Sequence, residues 1–175
     1  MIEKKVKSRI LFRGKVITVK CDDVVLENGV KTKREIVDHK GGVCCLVRTK
    51  EDKIIFVSQY RYSVGADVLE LPAGKIEEGE DPLTTIKREL IEEVGVIAEL
   101  ITACGYILPT PGYSSEKIYL YYVDQYREGK QEFDIDEDLT LHQIPIKEAY
   151  EMVRDGRIID AKTICLLMKC QNKLM

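Results

Sequence analysis

Glu89, Glu92 and Glu93 stand three and four residues apart, so a helix drawn through them carries all three carboxylates on one face. Like charges at that spacing repel by roughly a few tenths of a kcal/mol per pair. A divalent cation reverses the sign, because hard cations such as magnesium take carboxylate oxygens and meet phosphate on their other side. The pattern therefore points to metal-assisted phosphate chemistry. The competing reading is an acidic, solvent-facing helix.

The elements that must hold these acids are written around them. Asp81 caps a helix start, with Pro82 at the first helical position, where its missing N–H costs nothing. Leu83, Ile86, Leu90 and Val94 recur at helical spacing and predict a buried stripe. The carboxylates lie to one side of it, along a groove beside the core. Arg88 sits one turn before Glu92 and can hold it by an ion pair. Glu80 is expected to pair with Arg88 or with a loop amide. Gly95 ends the helix and Gly74 opens the loop before it, both at backbone angles that a side chain would disfavour.

The stretch 74–96 resembles the Nudix box, G-x5-E-x7-R-E-U-x-E-E-x-G-U with U a bulky aliphatic. Gly74, Glu80, Arg88, Glu89, Leu90, Glu92, Glu93, Gly95 and Val96 meet every fixed position. The resemblance implies hydrolysis of a nucleoside diphosphate linked to another group. It also implies an α/β/α sandwich with a mixed sheet and the box helix packed against it. That class agrees with the order of elements in the chain, where strands are flanked by helices.

Composition narrows the field. The 175 residues suit one sizeable core, and 45% hydrophobic with 33% charged residues is an ordinary soluble composition. A net charge of −3 leaves no electrostatic footprint for nucleic acid. The apolar runs are too short to span a bilayer, and the start of the chain lacks a secretion signal, so a cytoplasmic protein without membrane partners is expected. Cys21, Cys44, Cys45, Cys104, Cys165 and Cys170 form no C-x-x-C pair and read as free thiols in a reducing compartment. His39 and His142 read as structural.

Before the box, alternation predicts strands over 16–26 and 32–37 joined by an Asn28-Gly29 hairpin turn. Strands are also predicted over 43–47, 54–57 and 68–71. After the box, strands are predicted over 98–106, 117–123 and 139–144, then helices over 146–154 and 161–173, the last capped by Asp160. The organisation expected is an amino-terminal pair of antiparallel strands, 1–40, serving dimerisation, and a hydrolase domain over 41–175.

Outside the box, several segments resemble the ADP-ribose pyrophosphatase subgroup. Pro111 lies sixteen residues after Gly95, and 111–116 reads Pro-Gly-Tyr-Ser-Ser-Glu. Gln59-Tyr60-Arg61, Lys33-Arg34-Glu35-Ile36-Val37 and the run 155–163 are similar to further subgroup segments. The likeness implies that Arg61 meets the diphosphate or terminal ribose, and that Arg34 meets substrate across a dimer interface. It implies that Glu116 accepts hydrogen bonds from ribose hydroxyls. Two features depart from the pattern. No aromatic stands within 14–17 to stack adenine, although Phe12 is near. In the acidic loop, the position of the glutamate base found in some relatives is Ile135, leaving Asp134, Asp136 or a box residue for that role.

The function expected is magnesium-dependent hydrolysis of ADP-ribose to AMP and ribose 5-phosphate, with manganese as a substitute. Glu89, Glu92, Glu93, the Ala73 carbonyl and Glu137 would be the metal ligands. Glu93 is also the first choice to act near the attacking water, and Arg88 restrains Glu92. The alternatives are another nucleoside diphosphate sugar such as GDP-mannose, an oxidised nucleotide, or a domain that binds ADP-ribose without cleaving it. A homodimer built on the amino-terminal strands is expected.

Overall fold

The alternating amino-terminal segment is antiparallel sheet in the computed structural model, which describes residues 2–131 and 138–174. β1 (Lys4–Arg13), β2 (Ile17–Val25) and β3 (Lys31–His39) form a sheet of their own in that order. Register between β2 and β3 is unbroken from Ile17 opposite His39 to Val25 opposite Lys31. Their hairpin turns at Asn28-Gly29, where Gly29 takes φ 82°. β1 is a strand that the sequence reading omits. All of its residues are exposed, so no buried face marks it. The segment Leu108–Lys117 clusters with these strands, as one compact unit with the residues up to Gly41, although the sequence reading assigns it to 41–175. Backbone bonds account for that: Val37 N–H donates to Tyr113 O at 2.8 Å, and Ser115 N–H donates to Val37 O at 3.0 Å.

The second unit holds Gly42–Ile107 and the chain from Ile118 onward. Its strands are β4 (Gly42–Val47), β5 (Lys53–Arg61), β6 (Ala66–Glu70), β7 (Ala73–Lys75), β8 (Val96–Ile107), β9 (Ile118–Glu128) and β10 (Leu139–Pro145). Its helices are α1 (Pro82–Val94), α2 (Ile146–Arg154), α3 (Ala161–Lys169) and α4 (Gln171–Leu174). One sheet runs β7-β4-β9-β8 and is mixed, because β4 and β9 are parallel and the other pairs antiparallel. The other, β10-β5-β6, is antiparallel.

β4 is buried on both faces, which is why its sequence is an unbroken apolar run. Val43, Cys45 and Val47 join Ile86, Leu90 and Val94 of α1 in one cluster. Cys44 and Leu46 join Ala149 and Tyr150 of α2 and Leu166 and Leu167 of α3 in the other. β5 divides in the same way, with Ile55 and Val57 on the α1 side and Ile54 and Phe56 opposite. Helices thus cover both faces of the strands, which is the α/β/α sandwich expected. Each fully buried Ile or Leu contributes about 1.5–3 kcal/mol to it. The predicted helix 161–173 breaks at Cys170 into α3 and α4, and three-residue β7 escapes any pattern count. Among the described residues no helix is long and apolar enough to cross a membrane.

Candidate active site

α1 positions the acids, and its local chemistry follows the sequence closely. Asp81 Oδ1 accepts from Leu83 N–H at 2.9 Å and Thr84 N–H at 3.1 Å, with Pro82 next in line. Gly95 closes the helix in the left-handed region at φ 64°. The stripe needs one correction: Leu83 is exposed, and the fully buried residue of the first turn is Thr85. Thr85 Oγ1 donates to Glu80 Oε2 at 2.9 Å, so a hydroxyl is needed there rather than a methyl group.

Arg88 organises the acids. Its Nη1 lies 2.7 Å from Glu92 Oε2 and 3.0 Å from Glu89 Oε1. Its Nε and Nη2 reach Glu80 Oε1 and Oε2, each at 3.1 Å. The Glu92 pair is the one the spacing predicts; the Glu89 contact is additional. Glu80 thus pairs with Arg88, as expected, and accepts Glu77 N–H at 3.3 Å as well. Hydrogen bonds from Arg88, then from Thr85, pull the Glu80 carboxyl down to about 2. The hydrogen bonds to Glu80, with the charges of Glu89 and Glu92, hold Arg88 firmly in its charged form.

Glu89 and Glu93 are buried, at 6% and 3% exposure, which is unusual for carboxylates. Glu93 Oε2 accepts the Ala73 N–H at 3.0 Å, tying the helix to β7. Glu89 lies directly over Gly74. A Cβ placed on Gly74 would fall 1.8 Å from Glu89 Oε1. This corrects the expected reason for that glycine: Gly74 is not among the residues with positive φ, and what it supplies is close approach. Three carboxylates thus meet one guanidinium, although among the described residues no three His, Cys, Asp or Glu side chains are gathered as a ready cage for a metal. Arg88 draws Glu89 and Glu92 towards itself instead.

Arg61, at the end of β5, belongs to a second cluster in the same unit. Its Nε and Nη2 grip Glu70 Oε1 and Oε2, both at 2.7 Å. Lys162 Nζ reaches the same Glu70 Oε2 at 2.5 Å and Asp160 Oδ1 at 3.0 Å. Burial pushes Glu70 up, but Arg61 and Lys162 outweigh it and hold the carboxyl below its ordinary range. Glu70 and Lys162 were invisible as partners in the sequence; the one hint is an acid inside the apolar run 68–71.

Arg34, Pro111 and Glu116 lie in the amino-terminal unit. Arg34, on β3, is paired with Glu3 through Nε at 2.9 Å and Nη2 at 2.7 Å. Pro111 opens a turn in which Ser114 N–H donates to Thr110 O at 3.0 Å. Glu116 Oε1 lies 3.6 Å from His39 Nδ1, the atom that accepts Gly41 N–H. Glu137, like Asp134, Ile135 and Asp136, lies outside the described residues.

Comparison with known proteins bears on this arrangement. The model of the NUDIX domain matches residues 38–167. The chain is 38% identical over 171 residues to a methanol dehydrogenase activator of Bacillus methanolicus, covering 97% of this chain and 92% of the relative. It is 37% identical over 173 residues to an ADP-ribose pyrophosphatase of Bacillus subtilis, covering 98% and 94%. A solved structure described as an ADP compounds hydrolase superposes with a TM-score of 0.86 at 22% identity, covering 99% of this chain and 95% of that one, a likeness of fold.

Proposed function

The chain belongs to the NUDIX domain family, and from that premise we propose that it hydrolyses the diphosphate of ADP-ribose, or of a related ADP-sugar, to AMP and ribose 5-phosphate. The observation that carries this reading is the gathering of acids on α1, where Glu89 and Glu93 are buried and Arg88 pairs with both Glu89 and Glu92. The name of the Bacillus subtilis relative supports the substrate.

The donor set fits a hard cation: every candidate ligand is an oxygen, and Gly74 leaves the space that the Glu89 carboxylate fills. Glu89, Glu92, Glu93 and the Ala73 carbonyl, with Glu137 as a further contact, would hold magnesium, or manganese in its place. When bound, that metal would neutralise the diphosphate and make water acidic enough to attack at neutral pH. The chain's own residues supply the rest. Glu93, oriented by the Ala73 N–H, is the group that acts near the attacking water. Arg88 holds Glu89 and Glu92 to one nitrogen, Nη1, and restrains both. Arg61 meets the diphosphate or the terminal ribose, Glu116 the ribose hydroxyls, with Pro111 shaping its loop, and Arg34 reaches substrate from the second chain of a dimer.

Exposed Val6, Ile10, Leu11 and Phe12 on β1 support a homodimer built on the amino-terminal sheet. The six cysteines, all free of disulfides, suit a reducing cytoplasm. The test is product analysis with ADP-ribose, GDP-mannose and an oxidised nucleotide, each with and without magnesium. AMP from ADP-ribose, only with the metal, is expected. Faster turnover of GDP-mannose, or binding of ADP-ribose with no AMP released, overturns the reading. Sedimentation of the same preparation should give twice the 20.0 kDa chain mass.

A further inference from the structure

Lys162 is 13% exposed at its side chain, and a lysine that deep is costly unless its charge is answered. It is answered twice, by Glu70 Oε2 at 2.5 Å and by Asp160 Oδ1 at 3.0 Å. Burial works against the ammonium, yet the carboxylates of Asp160 and Glu70 hold its pKa above the ordinary lysine value. Asp160 is itself fixed as the cap of α3, accepting Thr163 N–H at 3.0 Å and Thr163 Oγ1–H at 2.6 Å. Thr163 Oγ1 in turn accepts Leu71 N–H at 2.9 Å, so the start of α3 is fastened to the residue after Glu70.

The consequence falls on Arg61. Glu70 is 4% exposed at its side chain and receives Arg61 on both oxygens and Lys162 on Oε2. Arg61 is the accessible member, at 39%. It gives Nε and Nη2 to Glu70, which leaves Nη1 for whatever enters the pocket of about 340 Å³ that it lines with Ser63, Val64, Ile159, Asp160 and Lys162. We infer that Lys162 and Glu70 are positioning residues: Lys162, anchored by the cap of α3, pins Oε2 of the Glu70 carboxylate, and Glu70 holds the Arg61 guanidinium in one orientation for the substrate. This rests on the reading of Arg61 as a substrate contact, and it gives the run 155–163 a role in the site.

If Lys162 acts through Arg61, the two must be coupled. Steady-state kinetics with ADP-ribose should show Lys162→Met raising KM about tenfold, with kcat within about threefold of wild type. In an Arg61→Ala background, the same change should raise KM less than about twofold further. Exchange of the Arg61 Nε–H with water, followed by NMR, should be slow in the wild type and about tenfold faster in Lys162→Met. Lys162→Ala, which also removes the donor to Glu70, serves if the methionine variant does not fold, and Lys162→Gln, which can still donate, should keep KM within about twofold of wild type. Effects on KM that multiply in the double variant, a fall confined to kcat, or an unchanged Nε–H exchange each overturn the inference. Should the wild type release no AMP, the substrate reading fails, and the exchange measurement alone decides whether Lys162 positions Arg61.

Discussion

Two charge clusters sit in the same compact unit and are built in opposite ways. Around Arg88, the acids Glu80, Glu89 and Glu92 converge on one guanidinium, with Glu93 buried nearby. Around Glu70, two cations and two acids alternate, Arg61, Glu70, Lys162 and Asp160, and the charges balance. A balanced network is satisfied by itself, and its energy goes into holding shape. The first cluster gathers three acids on one guanidinium close to the core, a crowding that a bound cation would relieve. That contrast separates a group built to bind from a group built to position.

Three experiments would break or sharpen it. The largest effect is expected from Glu93→Gln, which removes one charge from the acid-rich cluster and leaves the side chain's shape. kcat with ADP-ribose and magnesium should fall about a thousandfold or more, since a metal-binding carboxylate contributes several kcal/mol to the transition state. A near-normal kcat would take Glu93 out of the mechanism. Next is Gly74→Ala. Its Cβ would lie 1.8 Å from Glu89 Oε1, so the carboxylate must move. Activity should drop about a hundredfold, with about 1–3 kcal/mol lost in a urea melt. Full activity would mean that the position of Glu89 over Gly74 is not needed.

The smallest effect tests whether one acid of the first cluster is purely structural. The Glu80 carboxyl is pulled down to about 2 in the folded protein from an ordinary 4.5, because Arg88 and then Thr85 hydrogen-bond its ionised form. A depressed folded pKa stabilises the fold above the unfolded value, and that stability is lost as pH falls from about 4.5 towards 2. Glu80→Gln should therefore cost about 1–2 kcal/mol at pH 7, allowing for solvent screening, and the gap between the two proteins should close near pH 2. Urea melts across that range measure it, and a gap independent of pH would rule out the ion pair as its source.

Legibility differed with the distance over which each feature is determined. The Asp81 cap, the Gly95 stop, the Arg88–Glu92 pair and α2 at Ile146–Arg154 could be read directly, since each depends on residues within a turn or two. The β2–β3 hairpin was legible through Asn28-Gly29. β1 was not, because a strand exposed along its whole length shows no inward face. Leu83 fits the apolar period but sits at the helix start, where the stripe has not yet met the core, and Thr85 is covered instead. Gly74 looked like a glycine chosen for its backbone angle and proved to be one chosen for a carboxylate fifteen residues on.

From the sequence alone came the family resemblance, the acid face and the elements that carry it, because a helix converts spacing into direction by a fixed period. Only the tertiary structure decided that Arg61 is held by Glu70, and that Lys162, 92 residues further along, completes the hold. No local period links residues so far apart. Their meeting depends on how the start of α3 packs against the end of β6, and that is set by the core between them.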